Sequence, residues 1–484
     1  MGELSARQLF ALWAILTTAL LLRCVGLDWG LPPTDAETAA SGFRSSYSLE
    51  EDDALFAAAR LRAEGEWGSL HEGLTLAALE IAHAAGYLDA DWRDGFLEMR
   101  PGAFQRVYLA GRLLSAILDL GAVFLVFLLG LRLGGVAAGL WAAALAAMAP
   151  GLVLQACQIR PDSAAALLAI ASCWAALDRR MRRLGLLAGL ACAVEASLVL
   201  QMAGLLAAAA RGRGRRAAAE MLAAATLGFV IGTPLLLTDP TSVWREAASA
   251  WQPAADGPLL LLRSLGDFAR FGLGIPAAGL ALWRLWAWLR DRDPAGTMVA
   301  AALAGGFLVP LIAQGPFLQS LTPILPLGAV AAGCGLASLP VPYRRWAGAT
   351  ALLVAGLTAL RLVEARLAPH PANLALSVLR QAARPGQTVS LPEPEVPPLN
   401  PSTYPPGPDL FHGDLSAAPP DWAVTSDASP EPASPANLTI LERDYDRIAV
   451  FRARPLWLWT TLGEAGAPLD WRTLRPEMTL YRRR

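Results

Sequence analysis

Apolar residues run through the chain in blocks long enough to cross a bilayer, separated by short arginine-rich or proline-rich turns, and this alternation organises the rest. A crossing needs roughly 20 apolar residues, and short basic loops stay on the cytoplasmic side. Residues 9–25 form the first block and carry no small-residue cleavage site, so they read as a retained span. After a long polar stretch, residues 107–131 form a second span, turn at Arg132-Leu133-Gly134-Gly135, and return to Pro150; a fourth runs from Asp162 to Ala176. Asp178-Arg179-Arg180-Met181-Arg182-Arg183 and the run Arg211 to Arg216 are two cytoplasmic markers. The apolar segment 184–210 between them must therefore go out and back, as two short helices with a turn near Glu195. Residues 217–237 and 259–289 supply further crossings around an outside loop, 238–258; two more flank Gln314-Gly315-Pro316-Phe317, and 346–363 is the last. About eleven crossings from an inside N-terminus put the C-terminus outside, together with the long first loop.

The expected fold class is thus an all-α polytopic membrane protein with a small C-terminal α/β domain. Residues 1–366 would form the transmembrane domain, with 26–105 as a large first extracytoplasmic loop carrying juxtamembrane helices, and 367–484 an extracytoplasmic domain. The tail changes composition abruptly: P-E-P-E-V-P-P and S-P-E-P-A-S-P mark loops, and residues 421–425, 437–441, 447–451 and 478–481 read as short strands.

Composition agrees with the pattern, at 55% hydrophobic and 17% charged residues and a mean hydropathy of +0.40, far from a soluble average. The chain contains no Lys, so its basic side chains other than His are Arg. Arg does not give up its proton, and proton-accepting chemistry falls to carboxylates or His. The five cysteines sit in or beside apolar segments without a C-x-x-C pair and read as packing residues, a Cys24–Cys157 disulfide being left open.

The densest chemistry is Glu50-Glu51-Asp52-Asp53, just beyond the first span. Like charges so close raise one another's pKa unless a cation or proton offsets them, so the cluster is either well solvated or functional. A solvated first turn is the plainer reading, because acids suit a helix N-terminus and A-L-F-A-A-A-R-L follows as a good helix. Asp119, Asp162 and Glu195 are carboxylates within or beside spans, which suits a transporter or flippase for a lipid-linked or anionic substrate. No inverted repeat of similar halves supports that alternative. His71 and His83 do not form H-E-x-x-H, which excludes a zinc-protease motif.

The order of several phrases resembles the integral-membrane glycosyltransferases of the GT-C superfamily, in the bacterial branch akin to protein O-mannosyltransferases and lipid A aminoarabinose transferases. Glu51-Asp52 is followed by Ala59-Arg60 and Gly65, as an acidic pair in that family is followed by an alanine-rich helix, an Arg and a Gly. Gly111-Arg112-Leu113-Leu114-Ser115 matches G-R-x-x-S, and Ala149-Pro150 precedes Arg160-Pro161-Asp162. Gly232-Thr233-Pro234, Leu321 to Pro326, Asp470-Trp471 and 476–481 complete the series.

The resemblance implies inverting transfer of a sugar from a polyprenyl-phosphate donor to a protein, lipid or glycan acceptor, on the outer face of a bacterial inner membrane. Membrane lipids are expected neighbours, and nucleic acid is not an expected partner. A non-catalytic relative of such enzymes is the further alternative. By motif position Glu51 and Asp52 are the candidates for the base, Asp52 preferred, with a register slip bringing in Asp53. Asp162 matches a second acid that positions the acceptor or shares a metal site. Arg100, Arg112 and Arg160 are candidates to grip the phosphate, since guanidinium holds phosphate oxygens as a fork. The plainer role of each is snorkelling at the interface, or, for Arg160, neutralising Asp162. His71 stands where relatives read an aromatic phrase and is a candidate ligand or acid–base group; Glu195 stands where relatives often carry Lys. A divalent cation is the one candidate cofactor, and no metal-ligand set is assigned.

Overall fold

The computed structural model describes residues 4–29, 31, 49–64, 69–89, 101–211, 213–250, 257–311, 319–368, 371–382, 387–390, 409–411, 419–426, 435–451 and 477–484. Helix α1 (Ala6–Cys24) opens on a capping box, in which Ser5 N donates to Gln8 Oε1 at 2.9 Å and Gln8 N to Ser5 Oγ at 3.4 Å. The first loop contributes α2 (Leu49–Glu64) and α3 (Leu70–Ala84), the latter capped by Ser69. Helix α4 (Pro101–Met148) is two helices joined where Gly135 takes φ +81°, a left-handed position that a side chain would strain. This is the turn expected over Arg132-Leu133-Gly134-Gly135, made at its second glycine.

The bundle continues with α5 (Pro150–Gln155), α6 (Asp162–Leu177), α7 (Met181–Val194), α8 (Val199–Ala210) and α9 (Arg215–Gly232). The break between α7 and α8 lies at Glu195, as the two basic markers require, with a 3-10 turn over Ala196–Leu198. Next come the short α10 (Leu235–Thr238), α11 (Pro240–Ala250), α12 (Gly257–Asp267), α13 (Ile275–Arg290), α14 (Pro294–Phe307), α15 (Leu325–Ser338) and α16 (Val341–Leu367). The single crossing expected over 259–289 is instead α12 and α13 separated by a π-helical turn, Phe268–Leu273. Pro276 is the reason, because it lacks an N–H and suits only the first turn of a new helix.

Four helical stretches among the described residues are long and apolar enough to cross a membrane: Ala6–Cys24, Gln105–Met148, Ser320–Ser338 and Val341–Leu367. Asp162–Leu177, Ala196–Ala210 and Pro294–Phe307 are shorter apolar helices beside them. The chain is a polytopic membrane protein whose core is dominated by Ala, Leu and Val from α1, α4 to α9 and α13 to α16.

Three helices finish at one end of this bundle, and buried arginines join them. Arg23, wholly buried at the end of α1, donates to Ala146 O and Ala147 O in the last turn of α4, at 3.3 and 2.9 Å, and pairs with Asp119. Arg366, in the last turn of α16, donates to Leu22 O of α1 at 2.6 Å and to the Cys157 sulfur. The C-terminal carbonyls carry partial negative charge, so together with Asp119 they offset the two guanidiniums, which one carboxylate alone does not. Cys157 Sγ lies 3.1 Å from Val153 O, and all five cysteines are free, so the disulfide left open with Cys24 does not form.

The tail folds as a five-stranded mixed sheet in the order β2-β1-β3-β5-β4: β1 (Thr388–Ser390), β2 (Asp409–Phe411), β3 (Trp422–Ser426), β4 (Tyr445–Phe451) and β5 (Met478–Arg483). Strand β1 runs parallel to β2 and β3, and β5 antiparallel to β3 and β4. Helix α17 (Pro371–Ala382) packs on β4 and β5. Three of the expected strands stand, but residues 437–441 belong to a helix, α18 (Pro435–Asp444). Pro435 starts that helix, and the helical period buries Leu441 against Ala423 and Tyr445 while Glu442 and Arg443 stay exposed.

Candidate active site

Glu51 enters the interior from the first turn of α2 and is wholly buried. Arg112, the second residue of the second crossing's G-R-x-x-S phrase, holds it with a two-pronged grip: Nε donates to Oε1 at 2.8 Å and Nη2 to Oε2 at 2.6 Å. The remaining amino group, Nη1, donates to Leu27 O at 2.5 Å and Trp29 O at 2.7 Å, tying in the segment just beyond α1. Ile159 N completes the carboxylate's shell, donating to Oε1 at 2.9 Å. Gly111 makes that approach possible, since a Cβ there would lie 2.6 Å from Ile159 Cδ1.

Immediately after Ile159 comes the predicted R-P-D phrase. Arg160 Nε lies 3.5 Å from Asp162 Oδ2, and Arg160 Nη1 donates to Gln158 Oε1 at 3.1 Å. Both members of the pair are buried, and Asp162 is the first residue of α6, where the helix dipole favours a negative charge. The buried Glu51 carboxylate therefore ties α2 directly to the loop that presents Arg160 and Asp162. Asp52 and Asp53 follow Glu51 on α2, but their side chains, like the whole of Arg100, lie outside the described residues.

Two other sequence candidates stand on neighbouring helices. Glu195 ends α7 in an extended conformation and is half-buried. His71 is buried on α3, and burial alone pushes its imidazole down to about 4, so it is neutral at physiological pH. The Arg23–Asp119 pair and Arg366 went unassigned in the sequence, apart from Asp119 as a transport carboxylate. The signal was present: an Arg inside the first apolar block and an Asp inside the second are each expensive in a membrane unless they find each other. Among the described residues no three His, Cys, Asp or Glu side chains group to hold a metal ion.

No protein-family model and no curated protein matches the chain by sequence. Solved structures do match its fold. The apo crystal structure of ArnT from Cupriavidus metallidurans superposes with a TM-score of 0.52 at 13% identity, over 98% of both chains. ArnT from the same organism bound to undecaprenyl phosphate gives a TM-score of 0.50 at 13% identity, again over 98% of each. At that identity the likeness is one of architecture, and it is the architecture that the motif order leads one to expect. The chain has the fold of these ArnT structures.

Proposed function

We propose that the protein is an inverting glycosyltransferase that moves a sugar from a polyprenyl-phosphate donor to an acceptor at the membrane surface, the side reached by the first loop. The observation that carries this reading is the bond from Ile159 N to Glu51, which joins the acidic first-loop helix to the Arg160-Pro161-Asp162 loop. The fold likeness to ArnT, crystallised with undecaprenyl phosphate, supports the lipid class of the donor.

The roles divide by what each group has left to give. Glu51 accepts from Arg112 twice and from Ile159 once, so it acts as the anchor of the site. Arg112 spends its donors on Glu51, Leu27 and Trp29 and has no open fork for a phosphate. The base is then Asp52, the preferred position by motif, which takes the proton of the acceptor hydroxyl as that oxygen attacks the anomeric carbon. The bond from that carbon to the phosphate oxygen breaks, and its electron pair leaves on the lipid phosphate. Arg160 and Arg100 stabilise the departing phosphate, and Asp162 orients the acceptor. Such a site lies on the outer face in an eleven-crossing topology with residues 26–105 and 367–484 outside.

The fate of Asp119 speaks against the transporter alternative. It is locked by Arg23 in a buried pair, which leaves its charge already neutralised and not offered to a passing ion or substrate. The test is to incubate the purified protein with a panel of radiolabelled polyprenyl-phosphate sugars and follow label into an acceptor fraction. Transfer that disappears in both Asp52→Asn and Asp162→Asn supports the reading; full transfer in both overturns it.

A further inference from the structure

Two buried polar side chains sit one turn apart on α3 without a partner among the described residues. His71 is 5% exposed and Thr75 0%, and among the described residues neither ring nitrogen of His71 nor Thr75 Oγ1 has a hydrogen-bond partner. Buried polar atoms in folded proteins nearly always find partners, so three neighbouring orphans on one helix face ask for an explanation. Packing does not supply one, because apolar side chains of the same size would fill the space without the desolvation penalty.

Their surroundings connect them to the site. Leu79, two turns further along the same face, belongs to the cluster that contains Leu55 and Ala58 of α2 and Ile159. Leu70, next to His71, lies against the end of α9, since a Cβ on Gly232 would be 3.6 Å from Leu70 Cβ and 2.5 Å from Ala193 Cβ on α7. Helix α3 thus spans from the helix that carries Glu51 to the break that carries Glu195.

The chemistry of the pair selects its ligand. A neutral imidazole has one donor and one acceptor nitrogen, and a threonine hydroxyl both donates and accepts. That set matches the hydroxyl groups of a sugar ring, which also donate and accept. It does not match a phosphate, which only accepts and calls for a cation. We propose that His71 and Thr75 are a hydroxyl-recognition pair that orients a neutral sugar ring beside the Glu51 helix. The inference rests on the glycosyl-transfer reading and adds to it a substrate contact on α3. The hydroxyl comes either from the sugar of the lipid donor or from a glycan acceptor.

The full-length protein in lipid nanodiscs tests this. Binding of bare undecaprenyl phosphate, undecaprenyl-phosphate-linked mannose and methyl α-mannoside is compared for wild type, Thr75→Val, His71→Phe and His71→Gln, with thermal stability measured alongside. Loss of one neutral hydrogen bond is expected to weaken binding about tenfold. Thr75→Val and His71→Phe should lose that factor for one sugar-bearing probe, leave bare undecaprenyl phosphate unchanged and keep or raise the melting temperature, while His71→Gln retains part of the affinity. A loss on the lipid-linked sugar assigns the donor, and a loss on methyl α-mannoside assigns the acceptor. Equal binding of every probe by wild type and variants, or binding of none, overturns the pair. Wild type that ignores undecaprenyl phosphate overturns the lipid-donor reading, while a Thr75-dependent affinity for methyl α-mannoside would still uphold the recognition pair.

Discussion

Arg112 and Glu51, 61 residues apart in the chain, meet as two parallel hydrogen bonds of 2.8 and 2.6 Å in a place that water does not reach. Breaking a buried pair by removing one charge leaves the other uncompensated, a loss of about 3–5 kcal/mol. Glu51→Gln is therefore expected to lower the yield and melting temperature of folded protein, with activity falling in proportion. Asp52→Asn is expected to keep the melting temperature and reduce transfer at least about 100-fold, the usual size of a lost general base. Thermal unfolding of detergent-solubilised protein, measured beside transfer, separates the two; equal stability of Glu51→Gln and wild type would refute the anchor role.

Arg112→Lys keeps the positive charge but gives up the fork. A single ammonium cannot serve both Glu51 oxygens and the two carbonyls of Leu27 and Trp29 at once. The expected loss is about 2 kcal/mol, from carbonyls left buried without donors. It is read as a lower unfolding temperature, and wild-type stability in this variant would contradict the geometry.

Gly111→Ala tests the approach of Ile159. The new methyl would lie 2.6 Å from Ile159 Cδ1, so Ile159 must shift and its N–H must draw away from Glu51. Overpacking of this kind is worth about 1–3 kcal/mol. A second change, Ile159→Val, removes the offending methyl and is expected to restore stability in part; failure of that rescue would point to a different contact.

His71 gives the fold a pH dependence with a definite sign. Its pKa in the fold is about 4, below its ordinary 6.5, because burial penalises the charged ring. The unfolded chain binds the proton more readily, so stability is full above pH 6.5 and is lost as pH falls toward 4. The whole effect is about 3 kcal/mol. Chemical or thermal unfolding between pH 7 and pH 4 is expected to show a shallower decline in His71→Phe than in wild type. Parallel curves would show that His71 does not titrate across this range.

Arg23 and Asp119 offer a contrast between single and paired substitutions. Asp119→Leu alone strands a buried guanidinium and is expected to lose about 3–5 kcal/mol, whereas Arg23→Met with Asp119→Leu removes both charges. The double variant is expected to recover most of the stability and to retain transfer, measured on the same preparation. Loss of transfer in a stable double variant would restore a functional role to Asp119.

Much of this architecture was legible in the chain. Apolar blocks between arginine runs located the α7–α8 break at Glu195 and the return turn near Gly135, because a membrane leaves few ways to satisfy a long apolar segment. The motif order pointed to the GT-C fold, and local alternation found β3, β4 and β5. It missed β1 and β2, three residues each beside proline-rich stretches, and it read part of α18 as a strand because Asn437-Leu438-Thr439-Ile440-Leu441 is too short to separate the two periods. What the sequence by itself could not decide was the division of labour among like-charged neighbours. Glu51 and Asp52 are interchangeable as letters, and only the meeting of Gly111, Arg112 and Ile159 across α2, α4 and the loop before α6 turned one of them into a buried anchor. Partners for a charge are chosen by three-dimensional approach and by the exclusion of water, and both arise when distant segments pack.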